Sequence, residues 1–569
     1  MEQNIITLSP GKGNATPMVV EALSRMDPEK ENLLRFEKGT YEFFREGTLC
    51  REYDISNNCG GEKKMVFPIL EQKHLTIDGE GSTFLFHGRI FPFLLDKSED
   101  ITLKNFIVDF DVARHAQGEL VAQTKEYYDL KFDRTMNPFT VENGNITFRI
   151  GEEEERSSRD SLSLLHEFDM DAHQWDVSVL GSVYLQVGET TADLRNLATG
   201  LWKTHATQLS EDTVRFTFDS PRDTLPFHQV GHFVTMNIEN RDNAIFFLNQ
   251  SKDVTLQNCE IVRGAGMGVI AQLSENITAD GLSIHVKEGR KDVVSITADA
   301  FHCVNCSGKV TVKNSFFADT MDDACNIHGI YTRIQKVEGN RVTASLSHQD
   351  QAGFHPYFPG DQVEIIDGES LCIKGRVTVL DSQLAEGDKM TLCLTIGPPE
   401  GFHICPGDLI ESPDRMPEVL YENNVLRNCP RILLSSCKKM VVRGNDIYNK
   451  VHGIKITDCP GYWYESGRVK DVLIEDNIFR NCGYCWECGV IVIDQQPGRS
   501  IVHENIRILR NRFEDTVSNF FDVSYVNGLT VEDNFFEIRP DWEKTAPQIP
   551  YKISHCTNVE IKNNVMKFL

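Results

Sequence analysis

Val472-Leu-Ile-Glu-Asp-Asn477-Ile-Phe479, Ile506-Arg-Ile-Leu-Arg-Asn511-Arg-Phe513 and Leu529-Thr-Val-Glu-Asp-Asn534-Phe-Phe536 are three copies of one eight-residue pattern. Apolar residues stand at its first, third and eighth places, and Asn at its sixth. Apolar alternation on β-branched runs describes a short strand with one buried face, whereas a helical repeat would place those residues at i, i+3 and i+4. Asn marks a corner: it tolerates left-handed backbone, and its amide can bond to the same residue one coil away.

The pattern extends outward to 254–261, 277–284, 310–317, 419–426, 440–447 and 559–566. Asn fills the sixth place in the last six copies, at Asn424, Asn445, Asn477, Asn511, Asn534 and Asn564. Successive copies start 23, 33, 109, 21, 32, 34, 23 and 30 residues apart. Apart from the 109, these are solenoid steps. A β-sandwich would need tight hairpins, and Asn-Gly or Asp-Gly turns are few. The fold class expected is all-β, a right-handed parallel β-helix.

The first half carries the signature more thinly, at His74-Leu-Thr-Ile-Asp-Gly79 and at Ile101-Thr-Leu-Lys-Asn105-Phe-Ile-Val108. Before it, Thr16-Pro17 reads as a helix start with Thr as cap, and the helix would cover the open end of the solenoid. Two β-rich stretches break the rhythm, and each is long enough for a small inserted β-barrel-like domain. The expected division is 1–116 for cap and first coils, 117–233 for an inserted β-rich domain, 234–330 for coils carrying an acidic cluster, 331–417 for an inserted barrel, and 418–569 for the last coils. Strands are expected at Asn145, Val177 and Val214 in the first insertion and at Arg341, Gln362, Arg376 and Met390 in the second. Gly360-Asp361 and Gly407-Asp408 read as turns. The acidic run 152–155 reads as a solvated loop.

The 569 residues hold 58 Lys and Arg against 84 Asp and Glu, a net charge of −26. A surface that negative repels phosphate backbones, which argues against nucleic acid as a partner. No run approaches the ~18 apolar residues of a membrane span. Residues 1–26 show no basic stretch followed by an apolar one, which leaves a cytoplasmic chain or one whose leader has been removed. The sixteen cysteines are too few for a disulfide scaffold. Cys303 with Cys306, and Cys482 with Cys485 and Cys488, read as packed thiols rather than metal ligands, so neither metal nor cofactor is expected. Arg263-Gly-Ala-Gly-Met-Gly268 lacks the helix that a phosphate loop requires and reads as a coil corner. The large flat flanks of a solenoid suit pairing into a homodimer.

A grooved acidic solenoid suits a neutral glycan, and glycan chemistry needs carboxylates. The densest candidate is Thr320-Met-Asp322-Asp323-Ala-Cys-Asn326-Ile-His328-Gly329, and one coil earlier stands Thr297-Ala-Asp299-Ala-Phe-His302. Stacked coils lie ~4.8 Å apart, which makes Asp299 and Asp323 near neighbours. Three crowded carboxylates cannot all ionise freely, so the cluster supplies an acid and a base together. Consecutive Asp322 and Asp323 can both serve only at a corner, since a regular strand points them apart. Asn326, His302 and His328 are candidate partners of sugar hydroxyls, with a structural role equally open to the histidines. Trp463 in Tyr462-Trp-Tyr464, and Trp486 near Tyr484, could stack on a sugar or simply pack their loops.

At these residues the chain resembles glycoside hydrolase family 110, the exo-acting α-1,3-galactosidases. The resemblance covers nearly the whole chain and is sharpest at Asp299 and at Asp322-Asp323-Ala-Cys-Asn-Ile-His-Gly329. It implies a β-helix with inserted β-barrels, metal-free hydrolysis with inversion, and a glycan substrate ending in α-1,3-linked galactose. Asp322 would be the general acid, with Asp299 and Asp323 holding the attacking water. The layout is also similar to the family 28 polygalacturonases, but Val451-His452-Gly453-Ile-Lys455 matches their uronate-gripping motifs only in part and lacks the Arg. A non-catalytic β-helix glycan-binding protein is the remaining alternative.

Overall fold

The structure is a computed structural model that describes residues 2–151, 161–169, 174–176, 183–187, 201–227, 229–239, 241–434, 436–449, 452–458, 460–482, 489–494, 500–516, 520–538 and 551–569. It is a parallel β-helix whose coils each contribute strands to the same rows. Val472, Ile506, Leu529 and Val559 stand in register along one row, and Ile478, Arg512, Phe535 and Val565 along the next. A third row runs through Phe301–Val304, Cys325–Ile330, Ile432–Leu434 and Ile454–Thr457. The repeated octet is therefore two strands and the corner between them. Its apolar places point inward: Val472, Ile474 and Phe479 are buried. Phe479, Phe513 and Phe536 stack from coil to coil at 5.0 and 4.8 Å between ring centres.

The six asparagines form one continuous ladder. Asn445 N donates to Asn477 Oδ1 at 3.0 Å, Asn477 N to Asn511 Oδ1 at 3.0 Å and Asn511 N to Asn534 Oδ1 at 2.9 Å. Asn424 and Asn564 extend it at either end. The left-handed residue is not the ladder Asn itself but the residue before it: Asn423, Gly444, Asp476, Arg510, Asp533 and Asn563 all have φ between 53 and 66°. The corner is thus divided between one residue that bends the backbone and one that satisfies its polar groups.

At the N-terminal end, the helix Thr16–Ser24 buries Val19, Ala22 and Leu23 against the first coils, as a cap must. The N-cap is Ala15, and Thr16 is already helical. Its hydroxyl instead ties the helix to the sheet, donating to Phe44 O and accepting from Phe44 N. The corner at 263–268 needs its glycines: Gly266 has φ +66°, and a Cβ there would lie 1.9 Å from Asn243 O. Cys303, Cys306 and Cys482 are buried in the core, while Cys485 and Cys488 lie outside the described residues.

Two insertions interrupt the coils. In the first, pairing runs from His115–Gln123 through Tyr127–Phe132, Thr213–Phe218, Leu201–Gln208 and Val183–Val187 to Ser161–Asp169, and closes where Phe233–Asn237 meets both Ser161–Asp169 and His115–Gln123. Asn145–Phe148 forms a separate two-stranded ribbon with Phe139–Glu142. The strand expected at Val177 and the acidic run 152–155 fall outside the described residues. In the second, Thr332–Glu338, Arg341–Leu346, Asp388–Ile396, Ile373–Ala385, Gln362–Ile366 and Leu409–Glu411 close a six-stranded barrel. The turns at Gly360 and Gly407 have φ of +99 and +96°. Arg468, from the coils, anchors this barrel by donating to the buried carboxylates of Glu364 and Glu411. Among the described residues no helix is long and apolar enough to cross a membrane.

Candidate active site

Pairing of Ile296 with Thr320 and of His302 with Asn326 sets a coil step of 24 residues, which stacks Asp299 on Asp323. Ala300 N donates to Asp323 O at 2.8 Å, so the acids ride on the coil-to-coil backbone ladder itself. Thr320 Oγ1 donates to Asp322 O at 2.6 Å, and Asp323 N to Asp322 Oδ1 at 3.2 Å. These bonds turn the chain before the strand Cys325–Ile330 begins, and Asp322 and Asp323 both face one cavity. That is the corner their joint use requires.

The cavity has a volume of about 180 Å³, and Asp299, Asp322, Asp323 and Glu465 line it. Asp322 stands toward its mouth, with 33% of its side chain exposed against 4% for Asp299 and 3% for Asp323. Burial, reinforced by the charge of Asp322, pushes the Asp299 carboxyl well above the usual carboxylate range. Burial raises Asp323 as well, against the opposing pull of Arg431. The crowding foreseen in the sequence is therefore felt by Asp299 and Asp323, the two deep acids.

Three cations answer them. Arg241 Nη2 donates to Asp322 Oδ2 at 2.6 Å, and Arg431 Nε lies 3.2 Å from Asp323 Oδ1. Lys455 lines the cavity one coil beyond, on the strand Ile454–Thr457. Arg431 stacks next to this site because Cys325 pairs with Ile432 across the inserted barrel. Subtracting that barrel from the sequence would have revealed it. Arg241 and Asn57 come from loops with no repeat to mark them. Glu465 belongs to a two-residue strand that pairs antiparallel with Gly329 and Ile330.

Asn326 lines the cavity while its Oδ1, although buried, has no hydrogen-bond partner among the described residues. His302 also lines the wall, but His328 lies behind it, with both ring nitrogens engaged. Trp463 forms part of the rim, packed at 4.4 Å against the His348 ring and held by Gln351 Nε2, which donates to Trp463 O. The second barrel thus builds one side of the mouth. Trp486 and Tyr484 lie outside the described residues.

Residues 406–536 match the family model described as a right handed beta helix region. The chain is 30% identical over 573 residues to Alpha-1,3-galactosidase A of Shewanella woodyi, covering 98% of this chain and 89% of that protein. The chain belongs to the alpha-1,3-galactosidase family. A second member, Alpha-1,3-galactosidase B of Bacteroides thetaiotaomicron, is 30% identical over 97% of this chain and 88% of its own length. Among solved structures, the family 28 exopolygalacturonase of Yersinia enterocolitica aligns over 99% of this chain and 79% of its own, at 12% identity and a TM-score of 0.37.

Proposed function

We propose that the protein is an exo-acting α-1,3-galactosidase of glycoside hydrolase family 110 that removes terminal α-1,3-linked galactose with inversion. One observation carries this reading: three aspartates from adjoining coils converge on a single small cavity in a chain of this family. Pockets for drug-sized ligands measure about 300–1,000 Å³. A cavity of about 180 Å³ suits one sugar ring, with the remainder of the glycan outside.

Asp322 is the general acid. Standing nearest the mouth, it is where the leaving oxygen of an enclosed terminal sugar would lie. Arg241 donates to Oδ2 at 2.6 Å and Asp323 N to Oδ1 at 3.2 Å, so the acidic proton is assigned to Oδ1, the oxygen with the longer and uncharged bond. As the glycosidic bond breaks, that proton passes to the departing oxygen. Water adds to the anomeric carbon from the other face and gives its proton to the buried acids, Asp299 and Asp323. Asn326 Oδ1 accepts from a sugar hydroxyl, and Trp463 offers a ring face at the rim.

The polygalacturonase-like alternative is weaker. Its histidine counterpart, His452, is buried and donates Nδ1–H to Gly489 O, and Arg241 and Arg431 are already matched to aspartates. Assay on α-1,3-, α-1,4- and α-1,6-linked digalactosides and on galacturonan tests the proposal. Galactose release from the α-1,3 compound alone is expected; release of uronate from galacturonan would overturn it. The carboxyls act directly, so EDTA should leave the rate unchanged. Loss on EDTA and recovery with calcium or zinc would contradict that.

A further inference from the structure

Behind Asp299 lies a line of three hydrogen bonds that the hydrolysis outlined above does not use. His302 Nδ1 is 2.5 Å from Asp299 Oδ2, His302 Nε2 is 2.9 Å from His328 Nε2, and His328 Nδ1 is 2.8 Å from Gly329 O. Both rings are buried. Register explains the meeting: His302 pairs with Asn326 and Val304 with His328, so the two rings come from adjoining strands on one face.

Each of these contacts needs a proton. A carbonyl only accepts, so His328 Nδ1 carries hydrogen. Two ring nitrogens at 2.9 Å need one hydrogen between them, and so do a carboxyl oxygen and a ring nitrogen at 2.5 Å. Asp299, His302 and His328 together therefore hold three such protons and are neutral as a set. The outer two can shift along the line without changing that sum: neutral throughout, Asp299 ionised with His302 charged, or Asp299 ionised with His328 charged. The far end is prepared for positive charge, because His328 Nε2 also lies 3.5 Å from Glu465 Oε1, which accepts from Asn57 Nδ2.

We propose that Asp299 is the base and that His302 and His328 are positioning residues which carry its acquired charge inward to Glu465. This rests on the hydrolytic reading above. The water gives its proton to Asp299 Oδ1 as its oxygen bonds to the anomeric carbon. At the same time Oδ2 yields its shared proton to His302 Nδ1, and the Nε2 proton of His302 moves to His328 Nε2. The departing glycan oxygen takes the proton of Asp322, and the set later returns its extra proton to solvent. No oxidant or reductant is involved. Asp323, 3.2 Å from the guanidinium of Arg431, is the poorer acceptor and orients the water.

The charged groups facing this line are Asp322 and Glu465 on one side of the balance and Arg241 and Arg431 on the other. Burial, with His328 beside it, lowers His302 well below the ordinary histidine value. Burial raises Asp299. Both directions favour the neutral resting form, with Asp299 holding the proton.

The test is His328→Gln, whose carbonyl oxygen can still accept from His302 but cannot take on a proton, together with Glu465→Gln. The pH profile of kcat/KM on an α-1,3-linked digalactoside is the readout, with thermal melts to establish folding. His328→Gln should lower kcat about 10²-fold or more, with KM little changed. Glu465→Gln should move the acid limb of the profile to lower pH by about one unit, since a charge partner that stabilised the protonated set is gone. The alkaline limb should stay in place. Folded variants with a wild-type acid limb and unchanged kcat would overturn the relay while leaving the galactosidase reading intact. A wild-type protein without galactosidase activity would overturn both.

Discussion

Two side-chain stacks run along this solenoid, and they obey opposite rules. At 424–564 an asparagine stands on an asparagine, each amide both donating and accepting, and five of the six are buried with every link bonded. At 299–323 an aspartate stands on an aspartate, and the two cannot both ionise there without repelling. That second stack persists because Arg241, Arg431 and His302 surround it. The same coil geometry thus supports a self-complementary ladder that adds stability and a self-repelling one that costs stability. Functional sites are where such cost is tolerated.

The sharpest way to separate the stacks is Asp322→Asn. It should lower turnover about 10³–10⁴-fold while leaving binding of a terminal α-galactoside measurable by calorimetry. A glycan-binding protein without catalysis would show no turnover to lose. Arg468→Leu should act on the fold instead, costing about 3–5 kcal/mol in denaturant unfolding, because it strands the buried charge of Glu411 and leaves Glu364 with Arg376 alone. An unfolding midpoint equal to wild type would mean that the barrel needs no ionic anchor. Asn477→Ala removes the partner of Asn445 N, Asn445 Nδ2 and Val442 O, and should cost about 1–3 kcal/mol with activity per folded molecule intact.

The smallest expected effect has the opposite sign. Asp299→Asn can keep its bond to His302 by donating to Nδ1, and it removes a carboxyl that burial holds in its protonated form. The unfolded chain ionises this group above about pH 3.9, whereas the folded chain does not until a higher pH. Stability therefore falls as pH rises through that window. The variant should be inactive yet about 0.5–2 kcal/mol more stable near neutrality, with a flatter melting-temperature profile against pH. A variant less stable than wild type at pH 7 would show that the acid stack costs nothing.

What could be read in advance divides along the same line. The Asn ladder was legible because one residue type recurs at one place, and Asp299 with Asp323 because 24 residues is one coil. The left-handed corner lies one residue before the Asn that marks it, and the bending position holds Asn, Gly, Asp or Arg and so has no repeating identity. Thr16 looked like a helix cap because its hydroxyl is free to be one in sequence, and only the neighbouring Phe44 backbone redirects it. Arg431 was hidden by the barrel between it and its register partner. Arg241, Asn57 and Glu465 reach the cavity from loops and a two-residue strand, where periodicity carries no information. His328 was visible as a residue of the site, but its place behind His302 depends on ring geometry.

The central claim is that Asp322 gives the proton while water, held by the deep acids, attacks from the opposite face. Proton NMR of the first galactose released from an α-1,3-linked substrate tests this directly. The anomeric signal should be that of β-galactose, with the α form growing in only as the sugar mutarotates. Initial α-galactose would mean retention through a covalent intermediate, and it would contradict the roles given to Asp299, Asp322 and Asp323.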